Sequence, residues 1–211
     1  MAREEDLIVD EVVAARVDKA ELRDQIQAKY TDVALKPEQG FHFHNGRPLA
    51  EMLSYEPADI DWLPEATVDS FAGTGNPFTL GRLREGETVL DIGCVAGFDT
   101  LLAARQVGPT GSVIAVDMTE AMLEKTRAGA ASLGLDIVDV RQGFAEELPA
   151  EDGSVDVVIS NGVINLCPDK AAVMAEVQRV LRPDGRIQIA DIVVHSEVPQ
   201  DAKDDIDLWS G

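Results

Sequence analysis

Val89-Leu90-Asp91-Ile92-Gly93-Cys94-Val95-Ala96-Gly97-Phe98-Asp99 is the stretch whose reading decides the fold. Thr88–Ile92 reads as a short strand and Asp99–Gln106 as the helix that follows it. Between them, glycines let the backbone turn sharply and approach a ligand, while the first helical turn offers free amide donors. The alternation repeats outward from this unit. Ser112–Asp117 reads as a strand, Glu120–Leu133 as a helix, Ile137–Arg141 and Val155–Ser160 as strands, and Lys170–Leu181 as a helix. The turn Arg182-Pro183-Asp184-Gly185 then leads into a fifth strand, Arg186–Val194. Strands made mostly of Val and Ile, apolar on both faces, belong in a parallel sheet covered by helices on both sides. The expected fold class is α/β, doubly wound, with a mainly parallel Rossmann-like sheet.

Upstream the pattern changes. Across residues 6–30, Leu7, Ile8, Val12, Val13, Val17, Leu22, Ile26 and Tyr30 follow the helical three-and-four repeat. Such a helix either packs one face on the main domain or serves as a dimer arm or lid. Residues 31–86 read as irregular and turn-rich, with Lys36-Pro37, Gly40, Gly46-Arg47-Pro48, Leu63-Pro64 and Gly73-Thr74-Gly75-Asn76-Pro77. Segments of this kind on a rigid scaffold often carry substrate contacts. Phe41-His42-Phe43-His44 contains an H-x-H pair, but no nearby cysteine or third histidine completes a metal site, so no metal is expected.

Composition narrows the function classes. The 211 residues include 39 Asp and Glu against 18 Lys and Arg, a formal charge of −21 that repels phosphate backbones and argues against a nucleic-acid partner. Hydrophobic residues at 45% and charged residues at 27% are ordinary for a globular protein. Apolar runs reach only four or five residues, too short to span a membrane. Met1-Ala2-Arg3-Glu4-Glu5-Asp6 carries acids where a secretory signal carries bases and an apolar stretch. Cys94 and Cys167 are too few for a disulfide scaffold, so a reduced, cytoplasmic protein is expected.

In doubly wound sheets, ligands bind beyond the carboxyl ends of the strands, where strand order reverses. The second strand ends at Asp117, whose carboxylate is suited to accept hydrogen bonds from two ribose hydroxyls. A glycine turn paired with a later strand-end acid implies a nucleoside-containing cofactor. A nicotinamide dinucleotide requires G-x-G-x-x-G, whereas the glycines here are Gly93 and Gly97, with Asp91 just before the turn. A pyrophosphate gains nothing from that carboxylate, but a cation does. The spacing therefore favours a cofactor with an amino acid moiety and a positive charge.

With these residues in this order, residues 73–194 resemble the class I S-adenosylmethionine-dependent methyltransferases, whose first strand carries an acid followed by G-x-G-x-G. The resemblance implies that Asp91, Gly93 and Gly97 hold the methionine part of S-adenosylmethionine, with Cys94 inside the same turn. It implies Asp117 on the ribose, Met118 against the adenine, and Ala145 and Glu146 along the adenine edge. Asn161 would face both the methionine end and the substrate. Ala96-Gly97-Phe98-Asp99, Val116-Asp117-Met118-Thr119 and Ile159-Ser160-Asn161-Gly162-Val163-Ile164-Asn165-Leu166-Cys167-Pro168-Asp169-Lys170 look closest to the arsenite methyltransferases. That likeness implies transfer of a methyl group to a small-molecule acceptor, in that family arsenite held by cysteine thiolates; the alternatives are a carbon, oxygen or nitrogen acceptor in another small metabolite, or a truncated, inactive cofactor-binding module.

The chain departs from that pattern where it matters most. The family's Y-G-C-G-x-P segment here reads Ala72-Gly73-Thr74-Gly75-Asn76-Pro77, so Thr74 replaces one thiol. In Asn161-Gly162-Val163-Ile164-Asn165-Leu166, Gly162 replaces a second. The third would follow Trp209-Ser210-Gly211. Cys167, five residues from Gly162, is a candidate catalytic residue beside Asn161, against a plainer reading as a small apolar filler. Val95 occupies the middle glycine position of the turn, where a β-branched residue resists positive φ. Val95→Gly is therefore expected to tighten cofactor binding. Five strands are visible of the usual seven. The expected organisation is a helical and irregular cap over 1–72, then a C-terminally truncated methyltransferase domain over 73–211. A homodimer would form through the N-terminal helix or the uncovered sheet edge.

Overall fold

Thr88–Ile92 (β1), Ser112–Asp117 (β2), Val138–Gln142 (β3), Val155–Asn161 (β4) and Leu181–Ala190 (β5) form one sheet in the order β3-β2-β1-β4-β5. Every pairing is parallel. The computed structural model describes residues 18–36, 44–195 and 198–199. Successive side chains of a strand leave opposite faces of the sheet, and both faces here are apolar. Leu90, Ile92, Val116 and Val158 pack with Val173, Val177 and Val180 of the helix Lys170–Val180. Val89, Val113, Val157 and Ile159 pack on the other side with Ala103, Ala104 and Val107 of the helix Phe98–Val107. Full burial of each such side chain is worth about 1.5–3 kcal/mol, which is why the Val- and Ile-rich segments settle between two helical layers. This is the doubly wound α/β arrangement expected above.

The helices in chain order are α1 (Lys19–Leu35), α2 (Gly46–Met52), α3 (Pro57–Trp62), α4 (Glu65–Asp69), α5 (Phe98–Val107), α6 (Glu120–Ser132) and α7 (Lys170–Val180). Asp18 caps α1 by accepting from the backbone N–H groups of Ala20 and Glu21, a contact worth about 1 kcal/mol. The helix packs on α6 and buries Leu22, Ile26, Val33 and Ala34. It runs five residues beyond the expected end at Tyr30, while the expected turns from Leu7 to Val17 lie outside the described residues.

Two expectations need correction. The segment over 31–86 is not irregular throughout: α2, α3 and α4 lie within it, packing Leu49, Ile60 and Val68 around Tyr55, Phe71 and Phe98. β5 starts earlier and ends earlier than expected. Leu181 already pairs with Val155, residues 182–185 bulge out around Asp184 at φ +68°, and pairing resumes at Arg186 before ending at Ala190. Ile192, Val193 and Val194 are exposed beyond the strand end. Phe41 to Phe43 lie outside the described residues, and His44 is exposed. Among the described residues no helix is long and apolar enough to cross a membrane.

Candidate functional site

Strand order reverses between β1 and β4, so a crevice opens past their carboxyl ends. The turn after β1 is folded back on β2: the N–H groups of Gly93 and Cys94 both donate to the Val116 carbonyl, at 2.8 and 2.9 Å. A Cβ on Gly93 would run into Val163 Cγ2, so residue 93 has to be glycine for the segment after β4 to close on the turn. Val95 stands at φ +49°, in the left-handed region that a β-branched residue resists. Its N–H donates to Asp117 Oδ2 at 3.0 Å, and Thr119 N–H donates to Asp117 Oδ1 at 2.8 Å. Burial raises the Asp117 pKa, and these amide contacts oppose the rise. Each carboxylate oxygen keeps a further lone pair for a ligand.

A cavity opens at this crevice. It brings together Gly93, Asp117, Met118, Ala145, Glu146, Asn161 and Cys167 from the expected set. Asp91 and Cys94 do not line it. They border a smaller recess of about 270 Å³ with Asp99 and Asn161. Gly97 lines neither space and serves instead as the left-handed N-cap of α5. The Cys94 side chain is buried against the core. It packs with Ala115 and Leu123, its Sγ lies 3.8 Å from Thr126 Oγ1, and burial pushes its pKa well up.

Asn161 is a hub. Its Oδ1 accepts from the N–H groups of Thr74 and Gly75 at 2.9 and 3.0 Å. Its Nδ2 donates to Gly75 O at 2.8 Å and Asp99 Oδ2 at 2.9 Å, and lies 3.1 Å from Tyr55 Oη. Tyr55 Oη in turn donates to Asp99 Oδ1 at 2.6 Å. Both ends of the amide are thus engaged in holding the 73–75 loop. Burial, then the neighbouring Asp99, raises the Asp91 pKa to about 8, against the hydrogen bond from Thr100 Oγ1. Burial raises Asp99 to about 6, opposed by Tyr55 and Asn161.

Cys167 lines the cavity with its Sγ 3.5 Å from the Val163 carbonyl. Burial, with Glu146 adding to it, pushes its pKa up to about 12, so the thiol is protonated at neutral pH and behaves as an apolar wall. Thr74 and Gly162, the positions where the family carries thiols, adjoin in space: a Cβ on Gly162 would sit 2.9 Å from Thr74 Cγ2.

The sequence did not reveal the outer wall. Arg23, Ile26 and Tyr30 of α1 line the cavity with Phe144. Their spacing of three and four residues marks one helical face, a signal present in the sequence but silent about what that face covers. Gln27 Nε2 on the same helix donates to the Met118 carbonyl at 2.7 Å, tying α1 to the end of β2. Burial, with Asp117 and Asp191 adding to it, raises the Tyr30 pKa to about 12.

Residues 83–210 match the family described as a methyltransferase domain. The arsenite methyltransferase of Halobacterium salinarum is 44% identical over 162 residues, covering 77% of this chain and 41% of that protein. The nocamycin O-methyltransferase of Saccharothrix syringae is 44% identical over 104 residues, covering 49% of this chain and 37% of that protein. The crystal structure of CrArsM, an arsenic (III) S-adenosylmethionine methyltransferase from Chlamydomonas reinhardtii, superposes with a TM-score of 0.64 at 40% identity. That superposition covers 69% of this chain and 51% of that one. The chain thus spans about two fifths of the length of the curated relatives it matches. With the sheet order, the glycine turn and the strand-end acid in agreement, the chain belongs to the methyltransferase domain family and stands near the arsenite methyltransferases within it.

Proposed function

We propose that the cavity binds S-adenosylmethionine and that the chain passes the methyl group to a small-molecule acceptor. One observation carries this reading: the β1 turn, the Asp117 carboxylate and the 143–146 turn converge on one cavity at the reversal of strand order. The residues fit the cofactor. Asp117 retains acceptor capacity for ribose hydroxyls, Met118 and Ala145 give apolar walls for a base, and Glu146, paired with Arg23, borders the same space. Asp91 and Asp99 border the adjoining recess with no basic side chain on its walls, a setting suited to an ammonium group. When bound, S-adenosylmethionine supplies an electrophilic methyl group on a sulfonium sulfur.

The chain's own contribution is alignment and exclusion of water. Tyr30 and Cys167 stay protonated at neutral pH, and both oxygens of Asp117 are engaged by backbone amides. Tyr30 and Cys167 are therefore not general bases for the acceptor. A second reading concerns that acceptor. Thr74 and Gly162 leave no thiolate pair for a soft metalloid, and one relative is named as an O-methyltransferase, so another small metabolite fits better than arsenite.

In this reading residues 1–72 act as a cap and 73–211 as the methyltransferase unit, in the cytoplasm and without nucleic acid. A homodimer would form through the N-terminal helix or the exposed sheet edge. Calorimetric titration with S-adenosylmethionine tests the cofactor, followed by an acceptor screen that includes arsenite. Micromolar binding is expected; absence of binding overturns the reading.

A further inference from the structure

Val95 stands at φ +49° between two anchored peptide groups. Its N–H donates to Asp117 Oδ2 at 3.0 Å, and its carbonyl accepts from the hydroxyl of Thr126 at 2.9 Å. Thr126 is a fully buried residue of α6. The φ and ψ of a residue turn its flanking peptide planes against each other, so anchoring both planes fixes both torsions. A β-branched residue resists the left-handed region, and such strain persists only where the surroundings over-determine it. The one hydroxyl hydrogen of Thr126 has a second carbonyl in reach, Met122 O at 3.1 Å one turn back. That carbonyl already receives a helical N–H, whereas Val95 O has otherwise only the weak Cys94 thiol, at 3.7 Å, among the described residues. The methyl group of Thr126 meets the same turn further on. A Cβ on Gly97 would lie 2.9 Å from Thr126 Cγ2, so the methyl seats the left-handed N-cap of α5.

We propose that Thr126 is a positioning residue for cofactor binding, its hydroxyl clamping the Val95 carbonyl and so holding the turn after β1 in the form that lines the cavity. The inference rests on the S-adenosylmethionine reading above. Thr126 lines neither the cavity nor the adjoining recess, so it acts through Val95, which borders both. Holding Val95 also keeps its N–H on Asp117, the carboxylate assigned to the ribose. Glycine enters positive φ without strain, so the clamp is needed only because this chain carries valine at position 95.

Calorimetry of the full chain with S-adenosylhomocysteine tests this in a double-mutant cycle of Thr126→Val and Val95→Gly, with circular dichroism confirming the fold of each variant. Thr126→Val should weaken binding by about five- to tenfold, the equivalent of one lost hydrogen bond. In the Val95→Gly background the same substitution should change affinity by less than about twofold, because loss of the Met122 contact is common to both backgrounds and cancels. Thr126→Ser keeps the hydroxyl and should stay within about twofold of the unsubstituted chain. Where Thr126→Val does not fold, Thr126→Ala takes its place and should bind more weakly than Thr126→Ser, since the two differ by the hydroxyl alone. Equal weakening in both backgrounds, unchanged affinity in Thr126→Val, or equal affinities of the Ala and Ser variants would reduce Thr126 to a packing residue and overturn the inference. Failure of the unsubstituted chain to bind S-adenosylhomocysteine would instead remove the cofactor reading, and this inference with it.

Discussion

Replacing Val95 by Gly and by Ala separates backbone strain from side-chain packing. At φ +49°, any residue with a Cβ sits in the left-handed region, at a cost of roughly 1–2 kcal/mol. Glycine escapes that cost but adds about 0.4–1 kcal/mol of chain entropy to the unfolded state. The Val95 side chain also packs beside Val33, Ala34, Ala96 and Met122. Both substitutions lose that packing, at about 1–2 kcal/mol for the methyl groups. The Gly variant should therefore be more stable than the Ala variant by about 1 kcal/mol, whereas at an ordinary position the order is reversed by roughly 0.5–1 kcal/mol. Urea unfolding of the three chains, followed by far-ultraviolet circular dichroism, measures the order directly. Because Val95 lines the cavity, the Gly variant should also bind S-adenosylmethionine more tightly than the unsubstituted chain. An Ala variant more stable than the Gly variant would refute the strain argument, and equal cofactor affinities would refute the steric one.

Asn161→Leu removes the amide that fixes the 73–75 loop, and should cost about 2–4 kcal/mol in urea unfolding while speeding hydrogen exchange at Thr74 and Gly75. Asp91 and Asp99 carry raised folded pKa values, about 8 and about 6, so the folded chain holds protons that the unfolded chain releases. Their contribution to stability is complete below about pH 4 and declines as pH rises toward 8, by at most about 1.4 kcal/mol per pH unit per carboxylate. Asp91→Asn should flatten the decline above pH 6, which unfolding at stepped pH detects. Joint Thr74→Cys and Gly162→Cys substitution places two thiols across a gap that a single Cβ nearly fills, and should capture phenylarsine oxide as an adduct seen by mass spectrometry. Neither single variant should retain it.

The sheet was legible because Val and Ile dominate strands buried on both faces, and β1, β2 and α5 to α7 fall where the hydrophobic spacing puts them, within a residue or so. The helices α2 to α4 were not legible. They are seven, six and five residues long, too short to show a period, and none has a side-chain cap hydrogen bond. The end of β5 was overrun because apolar Ile192, Val193 and Val194 continue its composition, while Asp191 turns its carboxylate back to the N–H groups of Ile164 and Asn165. In the site, Gly93, Asp117, Met118, Ala145 and Glu146 reach the cavity as their motifs suggested. Arg23 and Tyr30 did not announce themselves, since which wall a helix covers is settled by tertiary packing alone. The commitment of Asn161 to the loop was equally hidden, because its partners Tyr55, Gly75 and Asp99 have no fixed spacing from it.

The Asn161 amide also sets a schedule for biosynthesis. Its partners Tyr55 and Gly75 leave the ribosome 106 and 86 residues earlier. At roughly 5–20 residues per second, several seconds pass before β4 arrives to fasten them. Until then Asp99 and the Tyr55 hydroxyl have each other, water and the Gly75 carbonyl but not the Asn161 amide, and closing so long a loop carries an entropic barrier that local helices never meet. Helices α2 to α4 can collapse early, but the recess bordered by Asp91 and Asp99 is completed only when β4 docks, so ligand-binding competence should emerge as a single late event during translation.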